Sequence, residues 1–217
     1  MSKTLDVLIY KIPLSRMDKN KLRNTKKDLI NINYKNEFSV GLYFCSMILK
    51  RDFEFTVEYY FFSKNGKPFL GTNGPGFSIS YTDDYVYIAI IKHGAIGIDA
   101  EKVKAIDINV SKEFMTEKEF VSLEKATDKY EYFYKIWTLK ESFLKLIGLG
   151  INDSINTIEF VEHLSGTYSI NTNYSQKVYL RNFSEEGSII SLSSYCEVEI
   201  KIIGFIDIKE FLKMYEN

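Results

Sequence analysis

The chain of 217 residues is poor in the residue types that build several common kinds of site. Two cysteines, Cys45 and Cys196, exclude a disulfide framework and a thiolate zinc site. Two histidines, His93 and His163, cannot supply a three-histidine metal centre. With 3 prolines there is no Pro-rich linker, and no segment is of low complexity. Charge of one sign is lacking too. The 28 Lys and Arg against 29 Asp and Glu leave a net charge of −1, so no global field attracts nucleic-acid phosphates. The longest apolar run, from Tyr85 to Ile91, falls short of a membrane span. Near the N-terminus Asp6 interrupts an apolar stretch that no small-residue cleavage site follows. No phosphate-binding G-x-x-x-x-G-K-[ST], no G-x-G-x-x-G after a strand and no G-x-S-x-G elbow occurs. These absences lead to the expectation of a cytoplasmic monomer with neither a nucleic-acid nor a membrane partner.

What is present is an ordinary globular composition, 45% apolar and 26% charged, long enough for a proper core. Charge is uneven along the chain. Eight basic residues between Lys11 and Lys35 face only Asp18 and Asp28, so that segment is either a solvated helical face or a local anion site. Val40, Tyr43, Phe44, Met47 and Ile48 recur at helical spacing within 38–51. Strand-like runs follow at 55–62, 77–81 and 85–91, the last two around a Thr82-Asp83-Asp84 turn. The second half opens with a strand near 95–100. Thr116 and Glu119 have capping-box spacing, and Asp128 precedes a long helix over 129–147 that Gly148 and Gly150 stop. Strands are expected at 157–161, 177–183, 188–195 and 198–205, then a helix over 208–215. Helices followed by antiparallel strands, given twice, predict an α+β protein of two similar lobes, 1–94 and 95–217.

Three clusters carry residues suited to chemistry. Asp99 and Glu101 stand two apart in Gly97-Ile98-Asp99-Ala100-Glu101, so on a strand both project to one side while Ile96, Ile98 and Ala100 point into a core. Paired carboxylates raise each other's pKa unless a cation lies between them, and oxygen-only ligands suit Mg²⁺ or Mn²⁺. The same D-x-E pattern is also common on solvated strands. On the long helix, Trp137, Glu141 and Lys145 share a face at a spacing of four, either as a surface pair beside a core tryptophan or as a third carboxylate and a phosphate-neutralising lysine. Asn65-Gly66-Lys67-Pro68 reads as a turn with one lysine held by a proline.

Taken in order, Gly66-Lys67-Pro68, Phe77-Ser78-Ile79-Ser80-Tyr81, Gly97-Ile98-Asp99-Ala100-Glu101 and the run from Trp137 to Lys145 resemble the Sfp-type 4′-phosphopantetheinyl transferases. That family's signatures are GKP, FN-x-SH, G-[IV]-D-x-E and W-x-x-KE-[SA]-x-x-K. The resemblance implies a pseudo-dimer of two α+β lobes with coenzyme A in the cleft between them. It implies that Asp99, Glu101 and Glu141 hold Mg²⁺, that Lys145 and Lys140 meet the phosphates, and that Gly66, Lys67, Ser80 and Tyr81 bind the cofactor. Glu141 would take the proton of a serine on an acyl or peptidyl carrier protein as that hydroxyl attacks the β-phosphate, releasing 3′,5′-ADP. Carrier docking would fall on the segment with Phe114, Met115 and Phe120. Tyr81 replaces the family histidine, Ser78 the asparagine, and Glu37 the arginine four residues before Gly41. A catalytically weak relative that binds coenzyme A or a carrier without efficient transfer therefore stands as the alternative. The pathway, secondary-metabolite or fatty-acid, is not written in these residues.

Overall fold

The computed structural model describes residues 4–16, 38–71, 74–150, 155–163, 168–171, 174 and 176–203. The basic run at 19–27, Glu37 and the expected helix at 208–215 lie outside them. The first half contains β1 (Leu5–Pro13), α1 (Phe38–Phe53), the short strands β2 (Phe61–Phe62) and β3 (Pro68–Phe69), and the hairpin β4 (Gly76–Tyr81) and β5 (Tyr85–Ile91). The second contains β6 (Ile96–Lys102), α2 (Glu117–Lys125), α3 (Lys129–Ile147), β7 (Glu159–Glu162), β8 (Tyr168–Asn171), β9 (Tyr179–Glu185), β10 (Ser188–Ser194) and β11 (Val198–Ile203).

One plan occurs twice. In the first sheet β1 pairs antiparallel with β5, which pairs with β4; in the second β6 pairs antiparallel with β10, which pairs with β9. Each half thus runs strand, helix, hairpin, with the last strand inserted beside the first. Sheet membership crosses the expected division at 94/95, however, because β11 joins the first sheet, parallel to β1, with Leu5 opposite Val198. An edge at β1 would leave a row of unpaired backbone groups, and β11 covers them.

The two sheets stack between α1 and α3, and residue parity accounts for it. On β1 and β5, Tyr10, Ile12, Val86, Ile88 and Ile90 pack under α1 with Leu42, Phe44 and Ile48. The alternate residues Val7, Ile9, Tyr87, Ala89 and Ile91 meet Ile96, Ile98, Ala100, Ile190 and Leu192 of the second sheet. A strand buried on both faces loses the apolar–polar alternation, which is why 85–91 reads as one continuous apolar run. The run at 55–62 is strand only at its last two residues, since β2 finds just the two-residue partner β3.

Helix α3 is seated closely on β6. A Cβ at Gly97 would stand 1.9 Å from the Ser142 carbonyl oxygen and 2.6 Å from the Leu146 nitrogen. Buried hydroxyls join the helix to β10, Thr138 to Ser191 and Ser142 to Ser193, each at 2.7 Å. The helix ends behave as their residues dictate. Thr116 and Glu119 form the reciprocal capping box on α2, Asp128 caps α3, and Gly148 ends α3 in the left-handed conformation at φ 73°. Because a methyl at Gly97 has nowhere to go, Gly97→Ala should destabilise the chain by about 3 kcal/mol. Urea unfolding followed by circular dichroism measures this.

Candidate active site

Strand alternation turns Asp99 and Glu101 to the α3 side of β6, since Ile96, Ile98 and Ala100 take the opposite face in the core between the sheets. Asp99 is buried at 4% exposure, and Glu101 is half-buried at the strand end. Glu141 and Lys145, one turn apart on α3, come to the same place. The Lys145 Nζ lies 2.7 Å from Asp99 Oδ1 and donates at 3.2 Å to Ser80 Oγ, while Ser80 donates to the same Asp99 oxygen at 2.9 Å. Among the described residues, Asp99 Oδ2 and Glu141 Oε1 are buried with no hydrogen-bond partner.

These carboxylates are held under electrostatic tension. Burial, and after it the charge of Asp99, pushes Glu101 up to about 7; a hydrogen bond from Trp137 and the charge of Lys145 pull the other way. Burial followed by the charge of Asp99 likewise pushes Glu141 up to about 7. Among the described residues no three acidic, histidine or cysteine side chains already stand close enough to enclose a metal ion. Two partnerless buried oxygens beside carboxyl groups that resist ionisation are nevertheless what a hard divalent cation relieves, so the donor set fits Mg²⁺ or Mn²⁺.

A cavity of about 200 Å³ opens beside this group, lined by Gly66, Lys67, Pro68, Glu141, Lys145 and Leu149 among others. The turn and the helix, 75 residues apart in sequence, thus share one wall. Ser63 and Lys67 close the turn, with Gly66 at φ 81°. Lys67 Nζ donates to the Ile96 carbonyl at 3.1 Å, and burial, then the charge of Lys145, lowers its pKa to about 8. Asn65 Nδ2 reaches across to the Gly148 carbonyl at the end of α3. That contact escaped sequence reasoning because a capping amide from the other lobe leaves no local signature.

Several expected site residues stand elsewhere. Lys140 is not at the carboxylates: it is fully buried, paired at 2.8 Å with Glu119, and donates to the carbonyls of Phe114, Ile155 and Ile158. It sits one position before Glu141, about 100° around the helix, so it faces α2 and β7 instead of β6. Tyr81 alternates with Ser80 on β4, so it lies toward α1, where its hydroxyl accepts from the Gly41 amide at 3.0 Å. Lys11, grouped by sequence with the basic segment, is 6% exposed and paired with Glu186 at 2.7 Å. Met115 is a core residue at 5% exposure, and Phe114 packs edge-on against Trp137, so the outward apolar groups of that stretch are Val110 and Val121.

Two measurements follow from these environments. Lys140→Met leaves Glu119 buried without its cation and should cost about 3–5 kcal/mol in urea unfolding. Lys140→Met/Glu119→Leu should recover little of it, because the Thr116 and Phe160 amides then lose their acceptor as well. For Glu101 and Glu141 the folded pKa is raised above the ordinary 4.5. The folded state therefore holds these protons more tightly, and the stability they contribute below about pH 4.5 is lost as pH rises through 7. Tm of the metal-free chain should fall across that window, and Glu141→Gln should flatten the fall and raise Tm at pH 7.5.

With this geometry in place, comparison with known proteins points one way. The family model of the 4′-phosphopantetheinyl transferase superfamily matches residues 95–195. The chain is 38% identical over 100 residues to the 4′-phosphopantetheinyl transferase gsp of Aneurinibacillus migulanus, covering 44% of this chain and 41% of that protein. It is 34% identical over 125 residues to the 4′-phosphopantetheinyl transferase Sfp of Bacillus subtilis (strain 168), covering 56% and 53%. The match thus spans about half the length of these relatives. Among solved structures, the holo-[acyl-carrier-protein] synthase of Helicobacter pylori in complex with coenzyme A aligns at TM-score 0.38 and 19% identity, covering 46% of this chain and 97% of that one. Residues 95–195, which hold Asp99, Glu101, Glu141 and Lys145, are thus the part of the chain that is similar to the 4′-phosphopantetheinyl transferase superfamily.

Proposed function

We propose that the chain transfers the 4′-phosphopantetheine group of coenzyme A to a serine of an acyl or peptidyl carrier protein, with 3′,5′-ADP as the other product. The observation that carries this reading is the grouping of Asp99, Glu101, Glu141 and Lys145 beside a cavity that Glu141 and Lys145 line, with Asp99 Oδ2 and Glu141 Oε1 buried and unpartnered among the described residues. Asp99, Glu101 and Glu141 would hold Mg²⁺ or Mn²⁺, which supplies charge neutralisation for a pyrophosphate as its P–O bond breaks. Lys145 brings to the cavity wall a positive charge that would neutralise a leaving phosphate, and Lys67 and Gly66 line the cavity with it.

The proton has a destination on this chain. The carrier serine oxygen forms the new bond to the β-phosphorus, the bond to the 3′,5′-ADP oxygen breaks, and the serine proton passes to Glu141. Glu141 lines the cavity beside Lys145, so its carboxylate is placed to receive that proton directly or through a water.

Incubation of the chain with coenzyme A, Mg²⁺ and an apo carrier protein, followed by mass spectrometry of the carrier, tests the reading. The expected result is a gain of one phosphopantetheine unit on serine. Glu141→Gln should lower kcat by about 10²-fold or more while the protein stays folded. Glu101→Ala should abolish turnover without lowering Tm, and Asp99→Ala should abolish it while lowering Tm, since Lys145 and Ser80 lose their shared partner. Binding of coenzyme A with no transfer by the wild-type chain would instead favour the weak relative.

A further inference from the structure

Ser80 stands in the wrong relation to the cavity for a residue that binds the cofactor. Its side chain is 4% exposed, and its hydroxyl has one proton to donate and two lone pairs to accept with. All three are used inside the protein. The proton goes to Asp99 Oδ1 at 2.9 Å, and the lone pairs take the Ala100 amide at 3.1 Å and the Lys145 ammonium at 3.2 Å. Nothing remains on that oxygen for a ligand.

The same contacts constrain Asp99. Its Oδ1 accepts from both Ser80 and Lys145, while Oδ2 is buried without a partner. A carboxylate free to rotate about its last bond could turn its plane so that neither of its equivalent oxygens met the cation squarely. Ser80, fixed to the β6 backbone through Ala100 and to Lys145, holds Oδ1 on the first-lobe side. The oxygen left for a ligand is then always Oδ2. From these contacts we infer that Ser80 is a positioning residue, contributed by the first lobe, that fixes the plane of the Asp99 carboxylate so that one oxygen is left for the cation and Lys145 stays beside it. This rests on the proposed reading of Asp99 as a cation ligand.

The neighbouring strand residue supplies an internal control. Ser78 is also 4% exposed, and its Oγ accepts the Ile98 amide at 3.1 Å, the same bond to β6 that Ser80 makes one repeat later. Ser78 touches no carboxylate of the site through any hydrogen bond described for it. A purely structural role at the seam between the lobes would make the two serines equivalent, whereas a positioning role sets Ser80 apart.

The test is Mn²⁺ uptake by the full chain saturated with coenzyme A, read as loss of the free-ion electron paramagnetic resonance signal, alongside calorimetric titration of coenzyme A without metal. Ser80→Ala should raise the Mn²⁺ half-saturation concentration about tenfold or more, and Ser78→Ala should leave it within about twofold. Ser80→Thr, which keeps the hydroxyl, should restore uptake. Metal-free affinity for coenzyme A should stay within about twofold of wild type in Ser80→Ala and Ser80→Thr, whereas Ser78, which lines the cavity, serves as a control for Mn²⁺ uptake only. Equal effects in Ser78→Ala and Ser80→Ala would overturn the positioning role and leave a seam contact. Loss of metal-free coenzyme A affinity in Ser80→Ala alone would overturn it in favour of direct cofactor contact. Should Ser80→Ala fail to fold, Ser80→Cys, similar in size with a weak hydrogen-bonding thiol, takes its place with the same expectation. Absence of Mn²⁺ uptake by the wild-type chain would instead overturn the cation reading on which this role depends.

Discussion

Among the described residues the backbone edge of β6 that faces away from β10 has no strand partner, and its polar groups must be satisfied by something else. The first lobe supplies three side chains for it. Lys67 donates to the Ile96 carbonyl, and the hydroxyls of Ser78 and Ser80 accept from the Ile98 and Ala100 amides. These contacts alternate along the strand as a ladder would, yet they come from side chains. Two sheets that each lack a continuation at this edge are thereby joined at a fixed register. Asp99, between the two amides so bound, is held at the junction.

That junction explains why the site needs both halves. The carboxylates and Lys145 all come from the second half, on β6 and α3. The first half contributes the cavity wall at Gly66 and Lys67, the capping amide of Asn65 on the end of α3, and the hydroxyl that engages Asp99 and Lys145 together. A family match confined to 95–195 is consistent with this division of labour, because the chemical groups lie within it and the walls lie outside.

Charge burial is handled in two contrasting ways on α3. Lys140 and Glu119 are both removed from water, but every polar atom of the pair has a partner: three carbonyls for the ammonium, and the Thr116 and Phe160 amides for the carboxylate. One residue further along, Glu141 is left with an unpartnered oxygen and a raised pKa. The first arrangement is a closed structural cross-link among α2, α3 and β7. The second is unfinished, and a site that must receive a ligand has to be unfinished in this sense.

Sequence alone determined the local elements whose cause is local. The capping box at Thr116, the cap at Asp128, the stop at Gly148 and the turn at 82–84 each follow from a few neighbouring side chains acting on their own backbone. Period-two alternation also put Asp99 and Glu101 on one face and Ile96, Ile98 and Ala100 on the other, and the spacing of four brought Glu141 and Lys145 to one side of α3. Tertiary structure decided the rest. The same alternation turned Tyr81 toward α1 and Ser80 toward Asp99, but which face met which lobe depended on how the sheets stack. Lys140, adjacent to Glu141 and indistinguishable from a phosphate ligand by sequence, was assigned to the interior by its rotation about the helix and by a glutamate 21 residues away. The return of β11 to β1, and the pairing of Ser80 with Lys145 across 65 residues, were settled only when the unpaired edges and buried charges of the two halves had to be satisfied by each other.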